Sequence, residues 1–395
     1  MSVPVSFPPR SRALDSLPAY AVARLAERRR ELELAGRDII DLGAGDADLA
    51  PPPRAVEGLR EAILDPRYSR YGFQLGLIGF REAVAAWMER RFGLEVDPLR
   101  EMLPLIGSKE GIAHLFQALL NPGDVAILPD PGYPAYLGGS VLAGGEPCLV
   151  PLRPETDFLL PLEAVPPEME ARARVLVLNY PNNPTTAVAP REYLERAVAY
   201  CRERGIVLVH DLAYSEVAFD GYRPPSILEI PGARDVALEF HSLSKTYNMT
   251  GWRLGWAAGG HELVGLLSRV KTFLDTGPPL AIQAGGIGAL ESWDTWVPEN
   301  VAVFQRRRDA AVVAFREAGF QAEPPRATMY MWIPVPPEMD AETFGRRALE
   351  EAGVAVLPGT ALGAGGEGFF RVALTVSEER LREAAGRLAA VSGGA

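Results

Sequence analysis

The sequence predicts an α/β protein: a large domain with a mostly parallel sheet flanked by helices, followed by a smaller α+β domain. Three observations predict it. Short β-rich runs bounded by Gly or Pro alternate with helical stretches through most of the chain, the pattern of parallel strands joined by crossover helices. That alternation breaks near "LDTGPPLAIQ". At 395 residues the chain is also too long for one small core.

The elements follow in order. "YAVARLAERRRELELA" at 20–35 reads as a charged amphipathic helix ended by Gly36, and "RDIIDLGAGDADLAPPP" as a short strand and a Gly/Pro turn. "GDVAILPD", "EPCLVPL", "ARVLVLNYP", "GIVLVHD", "VALEFHSLS" and "RLGWAAG" read as strands, with helices such as 109–120 and 191–204 between them. A long helix is expected over roughly 297–318. The strand "TMYMWIPV", a helix over 341–352, a short strand "VAVLP", the strand "GFFRVALT" and a final helix over 378–391 complete the chain. "GTALGAGGEG" reads as a loop because strands flank it. The expected division is 1–45 as an N-terminal arm and part of the small domain, 46–285 as the large domain and 286–395 as the small domain.

Bulk properties exclude several classes. A net charge of −11 and a pI near 5.1 argue against a nucleic-acid surface. Cys148 and Cys201 are too few for a disulfide framework and read as buried thiols. The N-terminus has Pro and Arg where a signal peptide needs an apolar run, and no stretch is apolar enough to span a membrane, so a cytoplasmic location is expected. The four histidines show no metal-ligand spacing, so no metal is expected.

Of 40 basic residues only Lys109, Lys245 and Lys271 are lysines. An arginine stays protonated in a protein, whereas a lysine amine can act as a nucleophile. Lys245, in "HSLSKTYNMTGWRLGW", is therefore the candidate amine. Other polar clusters fall at strand ends, where open α/β sheets bind ligands. "GSKEG" at 107–111 places backbone N–H groups at a helix start, which suits a phosphate. Ser242, Ser244 and Arg253 can add donors to the same dianion. Asp211 can hold a proton on a ring nitrogen, with Tyr214 close by; Asn183 can donate to a ring oxygen and Tyr133 can stack on the ring. A phosphate, an aromatic ring, a ring nitrogen needing an Asp and an amine nucleophile together describe pyridoxal 5′-phosphate.

The motifs "YGFQLGLIGFREAVA", "GSKEG", "PDPGYPAY", "NYPNNPT", "HDLAYSE", "SLSKTYNMTGWRLGW" and "FFRVAL" occur in the order found in one family. The chain resembles fold-type-I pyridoxal-phosphate aminotransferases of class I/II over nearly its whole length. The resemblance implies that Lys245 is the Schiff-base lysine, acting as general base and then acid on the substrate Cα proton. It implies that Asp211 pairs with the pyridine nitrogen, that Tyr214 and Asn183 hold the phenolic oxygen, and that Tyr133 stacks on the ring. The backbone of Ser108 and Lys109, with Ser242, Ser244 and Arg253, would bind the phosphate. Tyr71 would reach the phosphate of a neighbouring subunit, which implies a homodimer with shared active sites. Arg371 would grip the substrate's α-carboxylate, with Gly45 in the turn that packs on it.

Within the family, "GSKEGIAHL", "PDPGYPAY" and "NYPNNPT" look most like the diaminopimelate branch. That branch acts on LL-2,6-diaminopimelate or its N-succinyl form in lysine biosynthesis, and in it a tyrosine at the place of Tyr20 contacts substrate. Two departures stand out. Thr186 replaces a usual Gly, and "KTFLDTGPPLAIQ" lacks an asparagine that some members use on substrate. Aspartate or alanine aminotransferases and C–S β-lyases share the same Lys/Asp/Arg core and differ in the distal pocket. A non-catalytic aminotransferase-like sensor would normally carry a DNA-binding module ahead of this domain.

Overall fold

A computed structural model of the chain describes residues 9–18 and 21–392. Its strands are β1 (Ile40–Asp41), β2 (Met102–Leu105), β3 (Val125–Asp130), β4 (Glu146–Pro151), β5 (Ala173–Leu178), β6 (Val207–Asp211), β7 (Ala237–Ser242), β8 (Gly255–Gly259), β9 (Tyr330–Pro334), β10 (Val354–Ala355), β11 (Leu357–Pro358) and β12 (Phe369–Ala373). Seven of them form the main sheet in the order β2–β8–β7–β6–β5–β3–β4. Only β8 runs against its neighbours, pairing antiparallel with β7 and β2. Central strands such as β3 are buried along their whole length, as expected of strands covered on both faces. Their side chains alternate between two cores. Ile127, Leu176 and Leu208 pack with Trp87 and Phe80 on one face, while Leu128, Val177, Val209 and Leu238 pack with Phe116 and Leu115 on the other.

The helices end where local chemistry stops them. Arg191–Arg204 follows Pro190 and terminates at Gly205, which takes a left-handed φ of 66°. Arg202 and Arg204 sit in its last turn, where cations suit the helix dipole. Both cysteines are free and buried, and burial pushes the Cys201 thiol up to about 12. No helix among the described residues is long and apolar enough to cross a membrane.

The C-terminal part has its own core, built on Phe304, Phe315, Phe320, Phe344 and Phe370. A three-stranded antiparallel sheet, β11–β12–β9, lies against it. The N-terminal segment joins this part: β1 pairs parallel with β10, Ile40 opposite Val354, and Ile40 and Leu42 enter the same core. "VAVLP", expected as one strand, divides between two sheets, with Val354–Ala355 serving β1 and Leu357–Pro358 serving β12. The long helix runs Trp293–Glu317, starting earlier than expected. Pro298 lies inside this helix, where it cannot donate to the Asp294 carbonyl. This helix bridges the two cores, with Val297 in the first and Phe304 in the second.

Phe370 is fully buried, its ring 4.5 Å from that of Phe344 and 5.7 Å from that of Phe320. Phe370→Ala should cost roughly 3–5 kcal/mol, read as a lower denaturant midpoint in urea. An unchanged midpoint would mean that this cluster does not anchor β12.

Candidate active site

β2, β3, β5, β6 and β7 run the same way, so their carboxyl ends lie at one edge of the sheet. There β6 ends at Asp211, β5 leads to Asn179 and Asn183, and β7 ends at Ser242. β2 leads into the Gly107 turn and β3 into Tyr133. These residues face Gly45, Tyr330 and Arg371 across a cleft of about 230 Å³.

Asp211 is buried. Its Oδ2 accepts a 2.7 Å hydrogen bond from the Tyr136 hydroxyl, while its Oδ1 is buried with no hydrogen-bond partner. Burial pushes the carboxyl above the usual range, and the Tyr136 hydrogen bond with the nearby His210 and His241 opposes this. Asn179 fixes the strand end by donating to the Asp211 carbonyl at 2.7 Å and accepting from the Asn183 N–H at 2.8 Å. Beneath lies a buried network. Glu239 meets His210 Nδ1 at 2.9 Å and His241 Nε2 at 2.8 Å, and accepts from the Ser226 hydroxyl and the Ile227 N–H, each at 2.7 Å. Burial disfavours the Glu239 charge, but the hydrogen bonds with His210 and His241 hold its carboxyl well below the usual range.

Lys245 sits in the one-turn helix Leu243–Thr246, capped by Ser242, whose hydroxyl accepts from the Ser244 N–H at 3.1 Å. The Lys245 Nζ donates to the Gly45 carbonyl across the cleft. On β12, Phe370 and Val372 turn into the C-terminal core, so Arg371 faces the opposite way, towards the cleft. Its Nη1 donates to Asn183 Oδ1 at 2.7 Å and its Nη2 to the Gly43 carbonyl at 2.8 Å, while Nε is buried without a partner. The guanidinium carbon lies 4.0 Å from the Tyr330 ring centroid. A Cβ on Gly45 would fall on the Tyr330 hydroxyl, so this close approach requires glycine. The Tyr214 and Tyr330 hydroxyls are 3.3 Å apart. Burial raises the Tyr214 phenol well above its ordinary value. Burial would raise Tyr330 too, but the charges of Arg371 and Lys245 pull it below.

The helix Ser108–Leu119 starts after Gly107 (φ 78°) with no side-chain cap, leaving its first N–H groups to meet an anion. The Arg253 guanidinium occupies the space where a Gly107 Cβ would stand, and Arg253 itself has φ 54°. Ser108, Lys109, Ser242 and Ser244 line the same end of the cleft.

The cleft thus gathers Lys245, Asp211, Tyr214, Asn183, Tyr133, Ser108, Lys109, Ser242, Ser244, Arg253, Arg371 and Gly45. Tyr71 is not among them: it is 71 % exposed, its ring 5.4 Å from that of Phe73. Tyr20 lies outside the described residues. Among the cleft residues that sequence reasoning did not single out are Tyr136, Asn179 and Tyr330. Tyr136 stands three positions after Tyr133 in the quoted "PDPGYPAY", and Asn179 opens "NYPNNPT". Tyr330 carries no signal of its own. Thr186 adopts φ 63°, a left-handed conformation that suits glycine far better than a β-branched residue.

Residues 37–388 match the family model described as aminotransferase class I and II. The chain belongs to this family. It is 48 % identical over 378 residues to a protein from Desulforudis audaxviator named LL-diaminopimelate aminotransferase, covering 96 % of each chain. Among solved structures it resembles a probable N-succinyldiaminopimelate aminotransferase from Thermus thermophilus, with a TM-score of 0.89, 40 % identity, and coverage of 93 % of this chain and 99 % of that one. A mutant of Thermus thermophilus aspartate aminotransferase matches with a TM-score of 0.90, 31 % identity, and coverage of 98 % and 100 %. Class I and II aminotransferases depend on pyridoxal phosphate, and the cleft of this aminotransferase fits that group. The partnerless Asp211 Oδ1 suits a protonated ring nitrogen, and the uncapped helix start beside Arg253 suits a phosphate.

Tyr136→Phe removes the hydrogen bond to Asp211 and leaves both carboxylate oxygens without a side-chain donor. Hydrogen bonds to charged groups contribute about 1.5–3 kcal/mol. Affinity for pyridoxal phosphate should therefore fall by roughly tenfold or more, measured by fluorescence titration of the apo protein. Wild-type affinity in this variant would remove Tyr136 from the cofactor's support.

Proposed function

We propose that this aminotransferase moves the amino group of LL-diaminopimelate or its N-succinyl form to 2-oxoglutarate, in lysine biosynthesis in the cytoplasm. The reaction class rests on one juxtaposition: the Lys245 amine, the partnerless Asp211 oxygen and the Arg371 guanidinium border the same cleft. Support for the substrate comes from the Desulforudis relative, matched over 96 % of its length. The aspartate enzyme from Thermus, with a TM-score of 0.90, indicates that the fold alone does not separate substrates.

Pyridoxal phosphate, when bound, supplies an aldehyde that takes up the amino group and a ring that withdraws electrons. The chain's own residues do the rest. Lys245 is the amine that holds the cofactor and, once released, moves the proton at substrate Cα. Asp211 keeps a proton on the ring nitrogen. Tyr214 and Asn183 donate towards the phenolic oxygen, and Tyr133 covers the ring face. Asn183 is suited to this because its Oδ1 already serves Arg371, leaving its amide N–H₂ to donate. Ser108, Lys109, Ser242, Ser244 and Arg253 hold the phosphate. Arg371 takes the α-carboxylate beside Gly45, and its orientation is preset by Asn183, Gly43 and Tyr330. Tyr20 is assigned to the distal group.

The working unit is proposed to be a homodimer in which Tyr71 completes the partner's phosphate site. Tyr71, Phe73 and Phe273 are 71 %, 72 % and 84 % exposed, and exposed aromatic residues of this size favour an interface.

Two experiments test the proposal. Borohydride reduction followed by peptide mapping should find the cofactor on Lys245, and Lys245→Ala should abolish turnover; a label on Lys109 or Lys271 would refute the assignment. A panel of amino donors with 2-oxoglutarate, read by glutamate formation, should rank diaminopimelate or its succinyl form above alanine by roughly 10⁴-fold or more, the discrimination available to a site that hydrogen-bonds a distal polar group. Preference for alanine or aspartate would overturn the substrate while leaving the aminotransferase.

A further inference from the structure

Of the three lysines, Lys271 has no part in the chemistry above, yet it is the most buried. It lies in the helix His261–Leu274 and is fully inaccessible to solvent. Its Nζ is bonded to Glu110 and to both oxygens of Asp275, at 3.1 and 2.9 Å. Asp275 also accepts from the Gly277 N–H at 2.6 Å. His114 borders the group, its Nδ1 3.4 Å from Glu110 and 3.6 Å from Asp275. Glu110, His114 and Asp275 bring ligand atoms within 4.8 Å of one another, but the Lys271 ammonium is the cation bonded there.

Glu110 is the link to the cleft. It is the third residue of the helix Ser108–Leu119, and its Oε1 accepts from the Ile106 N–H at 3.1 Å, just before the Gly107 turn. A carboxylate in the first turn favours the helix dipole. This helix start, however, must receive a phosphate dianion, and an uncompensated carboxylate one turn away repels it. The Lys271 ammonium, shared between Glu110 and Asp275, offsets part of that charge and keeps the Glu110 carboxylate on the Ile106 N–H. The site also explains why the residue is lysine in a chain that otherwise uses arginine: a compact ammonium fits between two carboxylates where a planar guanidinium would need more room.

We propose that Lys271 is a positioning residue for the cofactor's phosphate, acting through Glu110 on the turn that leads into Ser108. This rests on the reading that the cleft holds pyridoxal phosphate with its phosphate at that helix start. The test compares the apo protein's affinity for pyridoxal phosphate and for pyridoxal, which lacks the phosphate, by fluorescence titration. Lys271→Met should bind pyridoxal phosphate about tenfold more weakly or worse, with pyridoxal affinity unchanged. Adding Glu110→Gln should recover most of the loss. Glu110→Gln alone keeps an acceptor for Ile106 and should bind pyridoxal phosphate at least as tightly as wild type, which supplies a test even if Lys271→Met fails to fold. Equal loss for both ligands, no recovery in the double variant, or a tenfold loss in Glu110→Gln alone would each overturn the role of Lys271. A wild type that does not prefer pyridoxal phosphate over pyridoxal would overturn the phosphate site itself.

Discussion

Asp211 carries a carboxylate into the interior with one oxygen bonded to Tyr136 and the other without a partner. A buried polar atom left unpaired costs free energy, by about 1–3 kcal/mol and more when charged. Much of the surrounding structure serves to hold that atom in place. Asn179 fixes the main chain at the strand end, Tyr136 orients the carboxyl, and the Glu239 network braces the adjacent His210 from below. The parallel sheet makes the arrangement possible, because it delivers the ends of β5, β6 and β7 to one edge. A pyridinium N–H presented to Oδ1 would satisfy the atom, so the desolvation cost of that oxygen would be recovered as affinity for the cofactor.

The opposite wall of the cleft comes from a separate core. Arg371 and Tyr330 stand on antiparallel strands whose other faces pack Phe370, Val372 and Met331. The alternation of β12 therefore couples the placement of the Arg371 guanidinium at the cleft to the burial of its neighbours. The loop between Pro358 and Phe369 ties this wall to the sheet: Gly132 donates to the Leu362 carbonyl at 2.8 Å and Gly365 to Asp130 Oδ1 at 3.0 Å. Leu362 reaches the cleft from that loop, so loop position bears on the room within the cleft.

What was legible in the sequence follows from locality. Arg191–Arg204 is bracketed by Pro190 and Gly205, and its limits are readable from those residues alone. Lys245, Asp211 and Asn183 are polar residues at the ends of apolar runs, which marks them in any open α/β sheet. The rest depends on partners far away in the chain. Tyr330 reads as an ordinary strand aromatic until Gly45, Tyr214 and Arg371 converge on it. Tyr136 is one more aromatic in "PDPGYPAY" until Asp211, 75 positions later, meets its hydroxyl. The split of "VAVLP" between two sheets depends on β1, more than 300 residues earlier, and no local pattern records that pairing.

The three lysines show how composition and tertiary structure inform each other. Their rarity among 40 basic residues singles them out, but rarity does not say what each is for. Lys245 is the proposed amine nucleophile, a role that needs a group able to lose a proton. Lys109 is an exposed residue next to the Gly107 turn, its Nζ 5.7 Å from the Tyr133 ring centroid. Lys271 is selected by space and charge: it is fully buried, between the carboxylate of Asp275, just past the end of its own helix, and another 161 positions away. A buried ion pair is weak evidence for stability, because desolvation offsets much of the attraction, whereas removing one partner leaves a charge that is strongly unfavourable. A buried charge cluster of this kind is therefore weak evidence for a contribution to the fold, which leaves room for the role proposed for it at the turn before Ser108.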